Sequence, residues 1–160
     1  MAKSTKEALH WIVNLLRKHK IPFYISGGFA AHIYGSPRPI NDIDIDIPEK
    51  HFQNVLQTTR KYVTWGPEKH LHRPWDVHVF TLTYKGQEID ISSGDTMRFY
   101  DKKKKRWTLG PSNFSTAARK KVFDIIVPVI PKKDLLTYKL LLESYSSKPH
   151  QKIDVDALYS

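Results

Sequence analysis

The 160-residue sequence predicts a small α/β (α+β) domain, a mixed β-sheet with helices packed mainly on one face. Helical and strand-like periodicities alternate in the order α-β-α-β-α-β-β-β-α-α, the pattern of helices laid on a sheet. The length suits one hydrophobic core and is short for two, so residues 1–160 read as a single domain. One run, Asn41-Asp42-Ile43-Asp44-Ile45-Asp46-Ile47, alternates acidic and aliphatic residues with the period of a strand.

The elements follow in order. Ser4-Thr5-Lys6-Glu7 has capping-box spacing, and Ala8, Trp11, Ile12, Leu15 and Leu16 recur at helical intervals, predicting a helix over 5–19. The apolar run 21–25, interrupted by Pro22, reads as a buried strand entering the tight turn Gly27-Gly28. A short helix over 29–34 stops at Gly35. After the aspartate strand, Pro48 at a first helical position opens a helix carrying Phe52, Val55, Leu56 and Tyr62. Two strands, 76–84 and 87–92, join through Lys85-Gly86. Residues 93–121 read as a loop or wide hairpin, and 122–130 as one apolar strand. Pro131 begins a helix holding Leu135, Leu136, Tyr138, Leu140, Leu141 and Leu142, and a last helix covers 151–158.

Composition narrows the chemistry. Twenty-six Lys and Arg against 16 Asp and Glu give a net charge of +10, which favours a polyanionic partner such as a nucleoside triphosphate or RNA. Cysteine is absent, so disulfides, zinc-thiolate sites and thiol nucleophiles drop out, and a reducing cytoplasm suits the chain. No run approaches the roughly 18 apolar residues of a membrane span. The expectation is a cytoplasmic protein without a membrane partner.

The acidic run demands a cation. On a strand Ile43, Ile45 and Ile47 share one face and the carboxylates the other. Two carboxylates about 4 Å apart repel by roughly 4 kcal/mol at an effective dielectric near 20. Mg2+, or Mn2+ in its place, is the hard, oxygen-seeking ion that relieves this. Thirteen residues upstream of Asp42 lies the Gly27-Gly28 pair, where backbone amides at a helix start could face a phosphate. Asp90, in Glu88-Ile89-Asp90-Ile91-Ser92, repeats the acidic-aliphatic pattern on a later strand and supplies a third carboxylate. Arg38 stands ahead of the aspartate strand with two open readings, a phosphate or a carboxylate partner. His70, His72 and His78 lack metal-site spacing and read as surface histidines in a loop.

Together, Ile25-Ser26-Gly27-Gly28-Phe29-Ala30-Ala31-His32-Ile33-Tyr34-Gly35-Ser36-Pro37-Arg38 and Asn41-Asp42-Ile43-Asp44-Ile45 resemble the signature of minimal nucleotidyltransferases of the DNA polymerase beta superfamily. Within it the layout is similar to lincosamide nucleotidyltransferases and to toxin-associated relatives. The resemblance implies the small nucleotidyltransferase fold, with Asp42 and Asp44 as the metal-binding pair and Asp90 completing the metal site and activating the acceptor hydroxyl. It also implies Ser26, Gly27 and Gly28 as triphosphate contacts. Asp44 and Asp46 form an alternative pair. More weakly, Val129-Ile130-Pro131, a helix with Lys139, and Lys148 to Leu158 with Asp154 are similar to the tail of these enzymes. The chain departs from many relatives at Ile40, where they carry Thr, and at Lys148, where they carry Arg.

The expected function is Mg2+-dependent transfer of a nucleoside monophosphate from an NTP to a hydroxyl, with release of pyrophosphate. The acceptor is a small molecule or RNA, and association with a second copy or another protein stays open. The alternatives are a catalytically silent nucleotide- or RNA-binding module and a metal-dependent phosphohydrolase. The run Lys102-Lys103-Lys104-Lys105-Arg106, between Tyr100 and Trp107, carries the RNA reading through its charge and stacking groups.

Overall fold

The computed structural model describes residues 3–72, 75–110, 112–145 and 149–160. Helix α1 (Thr5–Lys18) buries Ala8, Leu9, Ile12, Val13 and Leu16, the positions its period places on one side. Ser4 takes the N-cap position without a side-chain cap bond; its amide donates to the Lys85 carbonyl, and Glu7 pairs with Lys85 at 3.0 Å. Strand β1 (Tyr24–Ile25) is only two residues long, so Pro22 stays outside the ladder it cannot donate to. Helix α2 (Gly27–Ile33) begins at the glycines themselves, which form its first turn rather than a turn before it.

Strand β2 (Ile43–Ile47) carries the aspartates, and Pro48 stands as the cap of α3 (Glu49–Thr58) rather than inside it. Tyr62 lies beyond α3 in a single 3-10 turn, edge-on to Trp11, which stacks on Tyr84 with 4.4 Å between ring centroids. The strand β3 (Val63–His72) was not expected; its pairing with β4 (Trp75–Tyr84) shifts register twice between Val63 and Glu68, around Gly66-Pro67, which hides the alternation. His70 and His72 therefore lie on a strand rather than in a loop, and their side chains fall outside the described residues. Strand β5 (Gln87–Ser93) returns antiparallel to β4.

Two hairpins follow, the first expected and the second not. Residues 93–121 contain β6 (Arg98–Asp101) and β7 (Arg106–Leu109), paired antiparallel, and the start of β8 (Ala118–Val122). The run 122–130 is not one strand: β8 turns at Phe123-Asp124 into β9 (Ile125–Val129). Both turn residues have positive φ, 47° and 69°, so the bend is made without the glycine that would announce it. Helices α4 (Lys132–Glu143) and α5 (His150–Leu158) close the chain.

The sheet runs β7-β6-β4-β5-β2-β1-β9-β8, with β3 also on β4. It is mixed, as expected: β2 is parallel to β5 and antiparallel to β1, and β1 is parallel to β9. Ile43, Ile45, Ile47, Ile89, Ile91, Phe80 and Leu82 are fully buried in one core with the apolar sides of α1 and α3. Among the described residues no helix is long and apolar enough to cross a membrane.

Candidate active site

The parallel pairing of β2 with β5 puts Asp44 directly beside Asp90 and Asp46 beside Ser92, with Asp42 immediately before β2. Strand alternation turns these side chains away from the isoleucine core. They line a cleft of about 300 Å³ together with Ser26, Gly27, Gly28, Arg38, Phe99, Tyr138 and Lys139.

The carboxylates act on one another. Burial pushes the Asp44 carboxyl up to about 8, the negative charges of Asp90 and Asp42 adding to it against the Phe29 amide. Asp42 rises to about 6 through burial and then through Asp90 and Glu88. Burial also raises Asp90, opposed by the Thr81 hydroxyl, which donates to its Oδ1 at 2.6 Å. Asp46 rises to about 7 by burial, opposed by the Ser26 hydroxyl donating at 2.9 Å. Asp42, Asp44 and Asp90 thus form the set whose charges interact, and Asp46 is tied instead to Ser26.

Gly27 lets the α2 backbone meet this set. Its φ is +58°, and a Cβ there would lie 2.5 Å from Asp44 Oδ2 and 2.8 Å from its Cγ. Only glycine allows that approach, which brings the Phe29 amide within 3.5 Å of Asp44 Oδ2. At Gly28 a Cβ would sit 3.1 Å from a terminal nitrogen of Arg38.

Arg38 has a carboxylate partner within the fold. Its Nε donates to Asp154 Oδ1 at 2.9 Å and its Nη2 to Oδ2 at 2.6 Å, the two-pronged fit of a guanidinium on a carboxylate. Asp154, fully buried on α5, also accepts from the Ser36 hydroxyl at 2.6 Å and pairs with Lys139 Nζ at 2.9 Å. Burial would raise its carboxyl; the bonds from Arg38, Ser36 and Lys139 overcome this and hold it at about 2. Lys139 Nζ donates as well to Gln151 Oε1 at 3.0 Å, and burial lowers its pKa against the pull of Asp154. Sequence reading reached Lys139 and Asp154 only as a similar tail and missed that Asp154 pairs with both Lys139 and Arg38. Lys148, in the same stretch, lies outside the described residues.

The basic run forms the tip of the β6–β7 hairpin. Lys102 Nζ donates to the Ser144 carbonyl at 2.7 Å and lies 4.1 Å from the Tyr145 ring centre, so it anchors the end of α4. Asp101 Oδ1 accepts from the Lys103 and Lys104 amides. His78 is half-buried, stacked on Phe52 and 3.2 Å from Glu49 Oε1, rather than loose on a surface loop. Among the described residues no three His, Asp or Glu side chains are drawn together tightly enough to enclose an ion. Mg2+ commonly takes only one or two carboxylates, completing its shell with water and phosphate oxygens.

Over residues 8–157 the sequence matches the family model of the aminoglycoside-2''-adenylyltransferases. The chain belongs to this family. It is a nucleotidyltransferase, as the resemblance implied. No curated protein sequence matches it. Among solved structures, a protein of Thermotoga maritima described as a nucleotidyltransferase superposes with a TM-score of 0.72 at 17% identity, covering 87% of this chain and 84% of that one. The lincosamide antibiotic adenylyltransferase LnuA, bound to lincomycin, gives 0.63 at 18% identity over 99% of both chains. The structure of ANT(2'')-Ia with adenylyl-2''-tobramycin gives 0.61 at 11% identity, covering 96% of this chain and 86% of that one. At such identities the likeness speaks for the fold, and the expected nucleotidyltransferase fold is the one observed.

Proposed function

We propose that this family member transfers the adenylyl group of ATP to a hydroxyl of a small-molecule acceptor and releases pyrophosphate, with Mg2+, or Mn2+, held by Asp42, Asp44 and Asp90. The observation that carries the reading is the register of β2 on β5, which sets Asp44 beside Asp90 in the cleft that Gly27 lines. The donor set fits: hard oxygen ligands without thiol, whose burial and mutual repulsion a divalent cation relieves. When bound, the metal supplies charge neutralisation at the transferring phosphoryl group.

The chain's own residues would do the rest. Ser26, Gly27 and Gly28 contact the triphosphate through the backbone amides at the start of α2. Asp90, oriented by Thr81, takes the acceptor hydroxyl's proton. As the acceptor oxygen bonds to the α-phosphorus, the bond from that phosphorus to the bridging oxygen breaks in line, and pyrophosphate leaves.

A small-molecule acceptor is favoured over RNA because the ligand-bound neighbours carry small molecules. The lincomycin-bound and adenylyl-tobramycin-bound neighbours make lincosamides and aminoglycosides the first acceptors to try. The test is pyrophosphate release from ATP and Mg2+ across both antibiotic classes and an RNA end, with Asp90→Asn alongside. Release that depends on a small acceptor and on Asp90 supports the proposal. ATP binding without release for any acceptor indicates the silent module, and orthophosphate a phosphohydrolase.

A further inference from the structure

Two cations, Arg38 and Lys139, share one carboxylate, Asp154, leaving a net charge of one positive unit at the cleft wall. The three residues come from the loop after α2, from α4 and from α5, so the group is assembled by the fold and not by local sequence. Arg38 packs against Gly28, and both cations act electrostatically on Asp44. Among the described residues Lys139 Nζ, which has three donors, bonds Asp154 and Gln151 and lies 5.7 Å from the Tyr138 ring centre. It lines the cleft although 2% exposed. A buried lysine needs a fixed counter-charge, or its own desolvation turns it neutral.

We infer that Asp154 is a positioning residue for the nucleotide's polyphosphate, holding Lys139 and Arg38 together at the Gly28 end of the cleft so that their surplus positive charge meets the β- and γ-phosphates. This rests on the cleft being the nucleotide site. A purely structural ion pair would weld α5 to the loop after α2 and leave ligand affinity alone. Coulomb's law by itself gives the opposite sign: removing a negative charge near an anion site tightens anion binding. Positioning requires that removing Asp154 weakens it.

The test is calorimetric binding of inorganic tripolyphosphate in Mg2+ buffer, with AMP as the control, to wild type, Asp154→Asn, Lys139→Met and the double variant. Loss of one charge-assisted contact corresponds to a dissociation constant for tripolyphosphate raised roughly tenfold in each single variant, with AMP unchanged. The double variant is expected to bind no more weakly than Lys139→Met. Tripolyphosphate bound by Asp154→Asn as tightly as by wild type, or more tightly, overturns the inference, as does a double variant showing the sum of both losses. If Asp154→Asn does not fold, Lys139→Met, which keeps the Arg38–Asp154–Ser36 bonds, decides it: unchanged tripolyphosphate affinity there overturns the inference. A wild type that binds no tripolyphosphate ends it too. Tripolyphosphate binding with no transfer to any acceptor instead ends the transferase reading and leaves Asp154 its role.

Discussion

Gly27 lets the α2 backbone close on Asp44 by having no side chain. Its φ of +58° and the 2.5 Å that a Cβ would leave to Asp44 Oδ2 make Gly27→Ala doubly unfavourable. The substitution is expected to cost about 1 kcal/mol or more in stability and to displace the Asp44 carboxylate. Activity should fall by more than the loss of folded protein explains, which thermal melts beside initial rates will show. Single residues also differ in how far their placement was legible in the sequence. Asp42 and Asp44 were legible because their relation is two positions along a strand, and Asp90 because its neighbours repeat that pattern. The Arg38–Asp154 pair was not: its members are 116 residues apart, and nothing local to either one signals the other.

Elements differ in how openly their residues declare them. Helix α1 was legible from its apolar period alone. Strand β3 was hidden because Gly66-Pro67 breaks the alternation at the register shifts, and the β8–β9 hairpin because Phe123-Asp124 turns without glycine. An aromatic residue at φ 47° is an uncommon choice there. Phe123→Asn places at that position a residue that tolerates the left-handed region, and it is expected to stabilise the hairpin by about 0.5–1 kcal/mol. The Phe123 carbonyl stays available to His10, which contacts it at 2.6 Å. A higher urea midpoint with unchanged slope is the expected result, and a lower midpoint contradicts the turn assignment.

For the whole molecule, the acidic cluster ties stability to pH. Asp42, Asp44 and Asp46 hold protons more tightly in the fold, at about 6, 8 and 7, through burial first. A carboxyl whose folded pKa is raised contributes stability that is complete below its unfolded value and is lost as pH rises through the folded one. Asp154, held at about 2, works in the other sense: its contribution is present above the unfolded value and lost as pH falls through 2. The metal-free protein should therefore lose melting temperature as pH climbs from about 5 to about 8. Mg2+ should restore it, and by more at the upper end, where the carboxylates have shed their protons. A metal-induced rise equal at both ends would contradict placement of the ion among these aspartates.

The central claim, that the Asp42, Asp44 and Asp90 carboxylates support adenylyl transfer to a small-molecule hydroxyl, is tested most directly by the mass of the acceptor. Acceptor, ATP and Mg2+ are incubated with wild type or with Asp44→Asn, and acceptor and pyrophosphate are quantified together. Wild type is expected to add one adenylyl group per pyrophosphate released. Asp44→Asn, folded but lacking a charge worth several kcal/mol, is expected to be slower by on the order of a thousandfold. An acceptor of unchanged mass across the panel, or an Asp44→Asn variant that transfers at the wild-type rate, would contradict it.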